Sequence, residues 1–381
     1  DFVQAFEEQS IDLVFFFDGY VSDSKVDEWR IRRQRRLDDV QATFRRLRSG
    51  TWTGRDGHDY CCPNGTAYTL WLVVKCFTSC KVFYAVEECD LEAARYARWH
   101  PECFALLSQD TDYVIFDMGV LYLSTLHLDI RTLTTLLYQP MALAYHLRLD
   151  LQQLPLFACL AGNDTVRREQ HLRDFHGSIG FPPHQFVSFA RLFRRIASII
   201  QQCGWGAIPD VSVARYTGIS LDVLMEGVRS YDLECEACCL RPPAGLDHAS
   251  WYLALRSYRN AAAFPALLQL LHCKEIYLGE TMEEAVDEQI PPAYVCFRPV
   301  RSRLYWLLFS GNDTVVVTEH VAYPGAGGIQ DVDVRSTSFP FNGQVPPLYQ
   351  LWSQELAMID VQWQLFCGCL GMHLHLDELM S

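Results

Sequence analysis

The sequence has no apolar run long enough to cross a membrane: residues 70–77 form a short apolar stretch interrupted by Lys75, where a spanning helix needs about 20 such residues. Basic charge is scarce as well. Against 46 Asp and Glu there are 32 Lys and Arg, a formal charge of −14, so the molecule as a whole is not drawn to nucleic acid and any such contact is local. There is no glycine-rich phosphate loop, no nucleophile and base pattern among the 12 histidines and no internal repeat; Gly-Asn-Asp-Thr-Val recurs at Gly162 and Gly311 with different flanks. Nucleotide cofactors and hydrolase triads therefore find no support. No secretory leader opens the sequence, and the 15 cysteines, Cys61-Cys62 and Cys238-Cys239 among them, are expected to be reduced and mostly buried as small apolar residues. What is present is core material: 381 residues, 50% of them hydrophobic, suit two or three globular domains.

The patterning predicts an α/β chain. Residues 11–17 form an almost continuous apolar run that ends in Asp18-Gly19, as a strand buried on both faces would. A long helix is expected over 26–47, strands over 81–86, 103–107 and 113–116, and a helix over 90–99 between the first two of these. From Gln139 onward helices are expected, Pro140 opening one of them, up to about Cys273. Residues 277–292, with Glu280, Glu283, Glu284, Asp287, Glu288 and Pro291-Pro292, read as an acidic linker. Strands are expected again at 294–297, 304–309 and 314–318, with turns at 311–313 and at Pro324-Gly325. The boundaries expected are 1–175, 176–276 for a helical extension, 277–292 for the linker and 293–381 for a small α+β module. The chain opens at Asp1 inside an amphipathic helix with Phe2, Ala5 and Phe6, and a further strand is expected upstream. A sheet without that strand is expected to show a gap or an unpaired edge.

The chemistry lies in acids placed just after apolar runs: Asp18, Glu88, Asp90, Asp110, Asp112 and Asp164. Each alone suits a helix cap or a turn. As a set they are costly, because carboxylates forced together repel unless a cation lies between them. Two divalent ions about 4 Å apart, held by such acids, would activate a water and stabilise the leaving oxygen in phosphodiester hydrolysis. A second candidate is basic: Arg30, Arg32, Arg33, Arg35 and Arg36 open a segment, 28–48, with eight arginines against three acids. Guanidinium forks suit phosphate oxygens, so this helix is a candidate grip on a nucleic-acid backbone, set against the plain reading of a solvated helix face. Cys235-x-x-Cys238-Cys239 with His248 and His272-Cys273 is a weak zinc pattern and reads as structural.

Four stretches together carry a family resemblance: Leu13-Val14-Phe15-Phe16-Phe17-Asp18-Gly19, Asp27-Glu28-Trp29 with the arginines after it, Gln109-Asp110-Thr111-Asp112-Tyr113, and residues 155–164 ending in Ala161-Gly162-Asn163-Asp164. They resemble the constitutive coactivators of peroxisome proliferator-activated receptor gamma, which are grouped with the asteroid proteins near the XPG and flap-endonuclease branch of the PIN fold. The likeness covers about residues 1–175 and resumes over 294–325. It implies a PIN/XPG-like three-layer sandwich with a mainly parallel sheet, and Asp18, Glu88, Asp90, Asp110, Asp112 and Asp164 as the acids that would hold Mg²⁺ or Mn²⁺. Two elements of the family pattern are not found: a Met-Gly start with the first, acid-bearing strand, and a basic helix-turn-helix after the last acid, where Arg167, Arg168 and Gly177-Ser178-Ile179-Gly180 stand instead. Three functions stay open: a nuclear transcriptional coactivator or scaffold, with some cytoplasmic presence allowed, that contacts a nuclear receptor or other transcription proteins; a metal-dependent structure-specific endonuclease or exonuclease on DNA or RNA; and an RNA-binding protein that does not cleave.

Overall fold

Eight strands among the described residues pair into three small sheets in a computed structural model. It describes residues 1–22, 25–52, 66–166, 170–182, 188–234, 240–278, 291–323, 328–341, 343–353 and 355–372. The strands are β1 (Val14–Phe17), β2 (Lys81–Tyr84), β3 (Ala105–Ser108), β4 (Leu121–Ser124), β5 (Leu137–Tyr138), β6 (Glu275–Leu278), β7 (Val316–Tyr323) and β8 (Gly328–Arg335). Each sheet contains one parallel pair: β1 with β2, β3 with β4, and β6 with β7. With the many helices around them this is a mixed α/β protein, as the alternating pattern predicts. The chain divides into two compact units, Asp1–Asp12 with Glu87–Cys238, and Leu13–Val86 with Cys239–Ser381. No helix among the described residues is long and apolar enough to cross a membrane.

In the first unit β4 lies between β3 and the antiparallel β5. A core of Tyr113, Phe116, Met118, Tyr122, Ala158 and Tyr231 packs about them. The larger core is helical. Leu154, Leu156 and Leu160 of helix Leu154–Ala161 meet Ile196 and Ile200 of helix Phe189–Cys203, all fully buried. By area transfer, each such side chain contributes about 1.5–3 kcal/mol. Helix Phe189–Cys203 buries Leu192, Ile196, Ile199 and Ile200 at the three- and four-residue spacing of one helix face.

In the second unit the β1–β2 pair packs on Trp251 and Tyr258 of helix His248–Arg259 and on Leu268 and Leu271 of helix Ala266–Cys273. The Tyr258 hydroxyl donates to the Ala85 carbonyl at 2.6 Å. Helix Val26–Ser49 buries Leu37, Val40 and Thr43 and stops at Gly50, whose φ of 68° lets its N–H turn back to the last carbonyls. Under the sheet of β6, β7 and β8, Glu319 is 0% exposed. It accepts hydrogen bonds from Arg301 (2.7 and 2.9 Å) and from the Tyr305 hydroxyl (2.9 Å), with Arg298 at 3.4 Å.

Several expected strands are helical. Residues 113–114 close a 3-10 turn, Thr111–Val114, and 115–116 follow it outside any strand, because the Asp110 side chain accepts the Asp112 N–H at 2.9 Å and turns the chain before a strand can start. Residues 304–309 belong to helix Arg298–Leu308, where Pro299 sits in the first turn and Ser302, Tyr305 and Trp306 are buried three and four apart. Helix Ala293–Cys296 replaces the strand expected at 294–297. These apolar runs are too short for their period to choose between strand and helix. The strand expected at 314–318 starts at Val316, after an Asx turn in which Asn312 accepts the Thr314 N–H at 2.9 Å. The acidic stretch 279–290 and the Pro324-Gly325 turn lie outside the described residues.

Candidate functional site

Four of the six predicted acids have charges that meet in the first unit, and Asp112 is where they meet. Asp110 and Asp112 share the turn after β3, fixed by the Asp110 carboxylate on the Asp112 N–H. Asp90 lies in the first turn of helix Cys89–Trp99, where negative charge suits the positive helix end. Glu88 is the exposed residue that starts this helix. The start is fastened by buried Glu92, whose carboxylate accepts the Glu87 N–H at 2.7 Å, while Glu87 pairs with Arg95. Asp164 follows helix Leu154–Ala161, which ends at Gly162 with φ 110°.

The turn that presents Asp164 is held by its neighbour. Buried Asn163 accepts the Val166 N–H at 3.0 Å and donates to the Gly227 carbonyl at 3.2 Å and toward Cys159 Sγ at 3.5 Å. Gly227 permits this approach: a Cβ there would come within 2.8 Å of Cys159 Sγ and 3.0 Å of Val166 Cγ2. Neighbouring residues thus fix the Asp110–Asp112 turn, the start of the helix bearing Asp90 and the turn at Asp164.

Three tyrosine hydroxyls donate at this site. Tyr231 donates to Asp112 Oδ1 at 3.2 Å, Tyr113 to Asp90 Oδ1 at 2.8 Å and Tyr122 to the Asp110 carbonyl at 2.6 Å. Burial, then the charge of Asp110, pushes the Asp112 carboxyl up to about 6; Asp164 and Asp90 add to the rise, and the Tyr231 hydrogen bond opposes it. Burial and then Asp90 raise the Tyr113 hydroxyl, burial and then Asp112 raise that of Tyr231, and burial and then Asp110 push Tyr122 up to about 12. All three tyrosines therefore stay protonated as donors at neutral pH. Tyr231 does not stand out in the sequence: it is 119 positions from its partner Asp112.

The remaining predicted residues are placed elsewhere. Asp18 is exposed, directly after β1, in the second unit. Among the described residues no three His, Cys, Asp or Glu side chains are grouped so as to hold a metal ion. In this arrangement the acids do not form a ready cage for Mg²⁺ or Mn²⁺. On helix Val26–Ser49, Arg30 binds Asp331 at 2.7 Å, Arg32 binds buried Glu28 at 2.8 Å, and Arg33 lies over the Trp29 ring at 5.7 Å. Arg35 is exposed and Arg36 half-buried. Cys235, Cys238, Cys239, Arg167 and Arg168 lie outside the described residues.

No family model matches the chain, and no solved structure matches it. Curated proteins do. Over 167 residues, 44% of this chain, it is 34% identical to the constitutive coactivator of peroxisome proliferator-activated receptor gamma from Bos taurus and to that from Homo sapiens, and 35% identical to that from Mus musculus. The match spans about a fifth of those proteins' own lengths: 23%, 18% and 21%. Over this stretch the chain is similar to the constitutive coactivators of peroxisome proliferator-activated receptor gamma.

Proposed function

We propose that the chain is part of a nuclear transcriptional coactivator or scaffold, built on a nuclease-like PIN/XPG framework and acting through protein contacts with a nuclear receptor or other transcription proteins. The observation that carries this reading is the 34–35% identity to three proteins named as such coactivators. The tyrosine donors at Asp90 and Asp112 agree with it, since neutral hydroxyls can maintain a carboxylate cluster whose catalytic use has lapsed. The test is a receptor-responsive reporter driven by the full-length protein, wild type against Asp110→Asn with Asp112→Asn. Unchanged coactivation by the double variant is expected; its loss, in a variant that still folds, would oppose a scaffold role.

A second reading is favoured by one observation, the raised Asp112 carboxyl among Asp110, Asp164 and Asp90. A divalent cation would relieve that repulsion, and the same acids would then serve a Mg²⁺- or Mn²⁺-dependent nuclease. This requires the carboxylates to rearrange on binding. Titration calorimetry with millimolar Mg²⁺ or Mn²⁺ separates the readings: heat of binding that disappears in the double variant supports the nuclease, and its absence in the wild type removes it. The RNA-binding alternative rests on helix Val26–Ser49, where charge reversal at Arg32, Arg33, Arg35 and Arg36 is expected to remove binding and flatten its salt dependence.

A further inference from the structure

The pair His272-Cys273 closes helix Ala266–Cys273 in the second unit. Three side chains meet there. Cys273 Sγ is 3.5 Å from His272 Nδ1 and 3.1 Å from the Tyr20 hydroxyl, and that hydroxyl is 3.1 Å from the same Nδ1. A thiol, an imidazole and a phenol thus stand pairwise within hydrogen-bonding reach. The imidazole is held from both sides, edge-on to Tyr20 with ring centroids 5.9 Å apart and against Trp251 at 5.8 Å.

A second observation comes from the same seam. Gln269, one turn before Cys273, is 2% exposed, and its Oε1 accepts the Val21 N–H at 2.9 Å, beside Tyr20. Its Nε2 is buried with no hydrogen-bond partner. An unmet buried amide donor is unfavourable, so this junction is less completely satisfied than a purely structural tie would be.

We propose that Cys273 is a reactive thiol, activated by His272 and Tyr20, that is modified by soft carbon electrophiles of the α,β-unsaturated carbonyl class. His272 Nδ1 takes the thiol proton, and the Tyr20 hydroxyl donates to the resulting thiolate. The sulfur then bonds to the electrophile's β-carbon. The carbon–carbon π pair moves to the α-carbon, which receives the proton from His272, so no oxidant or other co-reactant is needed. The negative end of the helix works against the thiolate but favours the imidazolium. Because Tyr20 touches the sulfur and Val21 the same helix, an adduct at Cys273 acts on the segment that follows β1.

The experiment is the pH dependence of alkylation of the full-length protein by N-ethylmaleimide, itself of this class, read peptide by peptide by mass spectrometry. The exposed cysteines Cys76, Cys203 and Cys296 serve as internal references. Cys273 is expected to reach half its limiting rate about one pH unit or more below the references, and His272→Asn is expected to move that midpoint up to theirs. In denaturant the four midpoints should coincide, a control that needs no variant. A midpoint for Cys273 at or above those of the exposed cysteines in the native protein overturns the proposal. So does a midpoint that His272→Asn leaves in place.

Discussion

Glu319 and Asp112 are both carboxylates withdrawn from water, and their surroundings are opposite. Glu319, fully buried, meets two guanidinium groups and a tyrosine hydroxyl. Asp112, half-buried, meets one tyrosine hydroxyl and feels the charges of Asp110, Asp164 and Asp90. Desolvating a carboxylate is unfavourable in both places. At Glu319 the Coulombic attraction of the arginines and the full set of hydrogen bonds offset it. At Asp112 the neighbouring charges add to it. The contrast separates a group that organises a fold from one whose placement the fold does not need, and it is the physical reason to look for function around Asp112.

The comparison is sharpened first by removing Glu319. Glu319→Ala leaves Arg301 and Tyr305 without their buried acceptor and is expected to cost about 3–5 kcal/mol in denaturant unfolding. A change under about 1 kcal/mol would mean that Glu319 is not the organising group described. Asp112→Asn has the opposite sign. The folded state raises this carboxyl from 3.8 to about 6, so it favours the protonated form. Wild-type stability therefore falls as pH rises from about 4 to about 6 and levels off above that. Asp112→Asn lacks this fall and is expected to be more stable than wild type at pH 7 by about 3 kcal/mol, the two converging below pH 4. Equal stabilities at pH 7 would contradict the crowded-acid description.

Asp331 gives the smallest effect and a limb of the other sign. Burial alone would raise its carboxyl, but hydrogen bonds from His320 at 2.8 Å and Arg30 at 2.7 Å outweigh it and hold the group below the usual range. Its contribution is present above the unfolded value of 3.8 and is lost as pH falls through the lowered folded value. Since the pair is well exposed, Asp331→Asn is expected to cost under about 1 kcal/mol at pH 7 and progressively less as pH falls. A difference that grows toward low pH would break this assignment.

Local chemistry was legible in the sequence and distant partnership was not. The Asp110–Asp112 turn, the helix start at Asp90 and the end of the helix before Asp164 each follow from residues within a few positions of one another. Tyr231 and the Asn163 link to Gly227 depend on how helices pack, which no local pattern records. The same limit explains residues 304–309: an apolar run of that length fits a buried strand, and only the burial of Ser302, Tyr305 and Trp306 reveals the helical period. The arginines of helix Val26–Ser49 were visible as a charge run. That Arg30 finds its acid on β8, 301 positions away, was not.

The account turns on Asp112 bearing a charge that its neighbours oppose, and a carbon-detected NMR titration of its side-chain carboxyl measures this directly. The expected midpoint is about 6, moving down when Asp110→Asn removes the largest of the neighbouring charges while burial continues to hold it above the usual carboxylate range. A wild-type midpoint near 4, unmoved by that substitution, would contradict it.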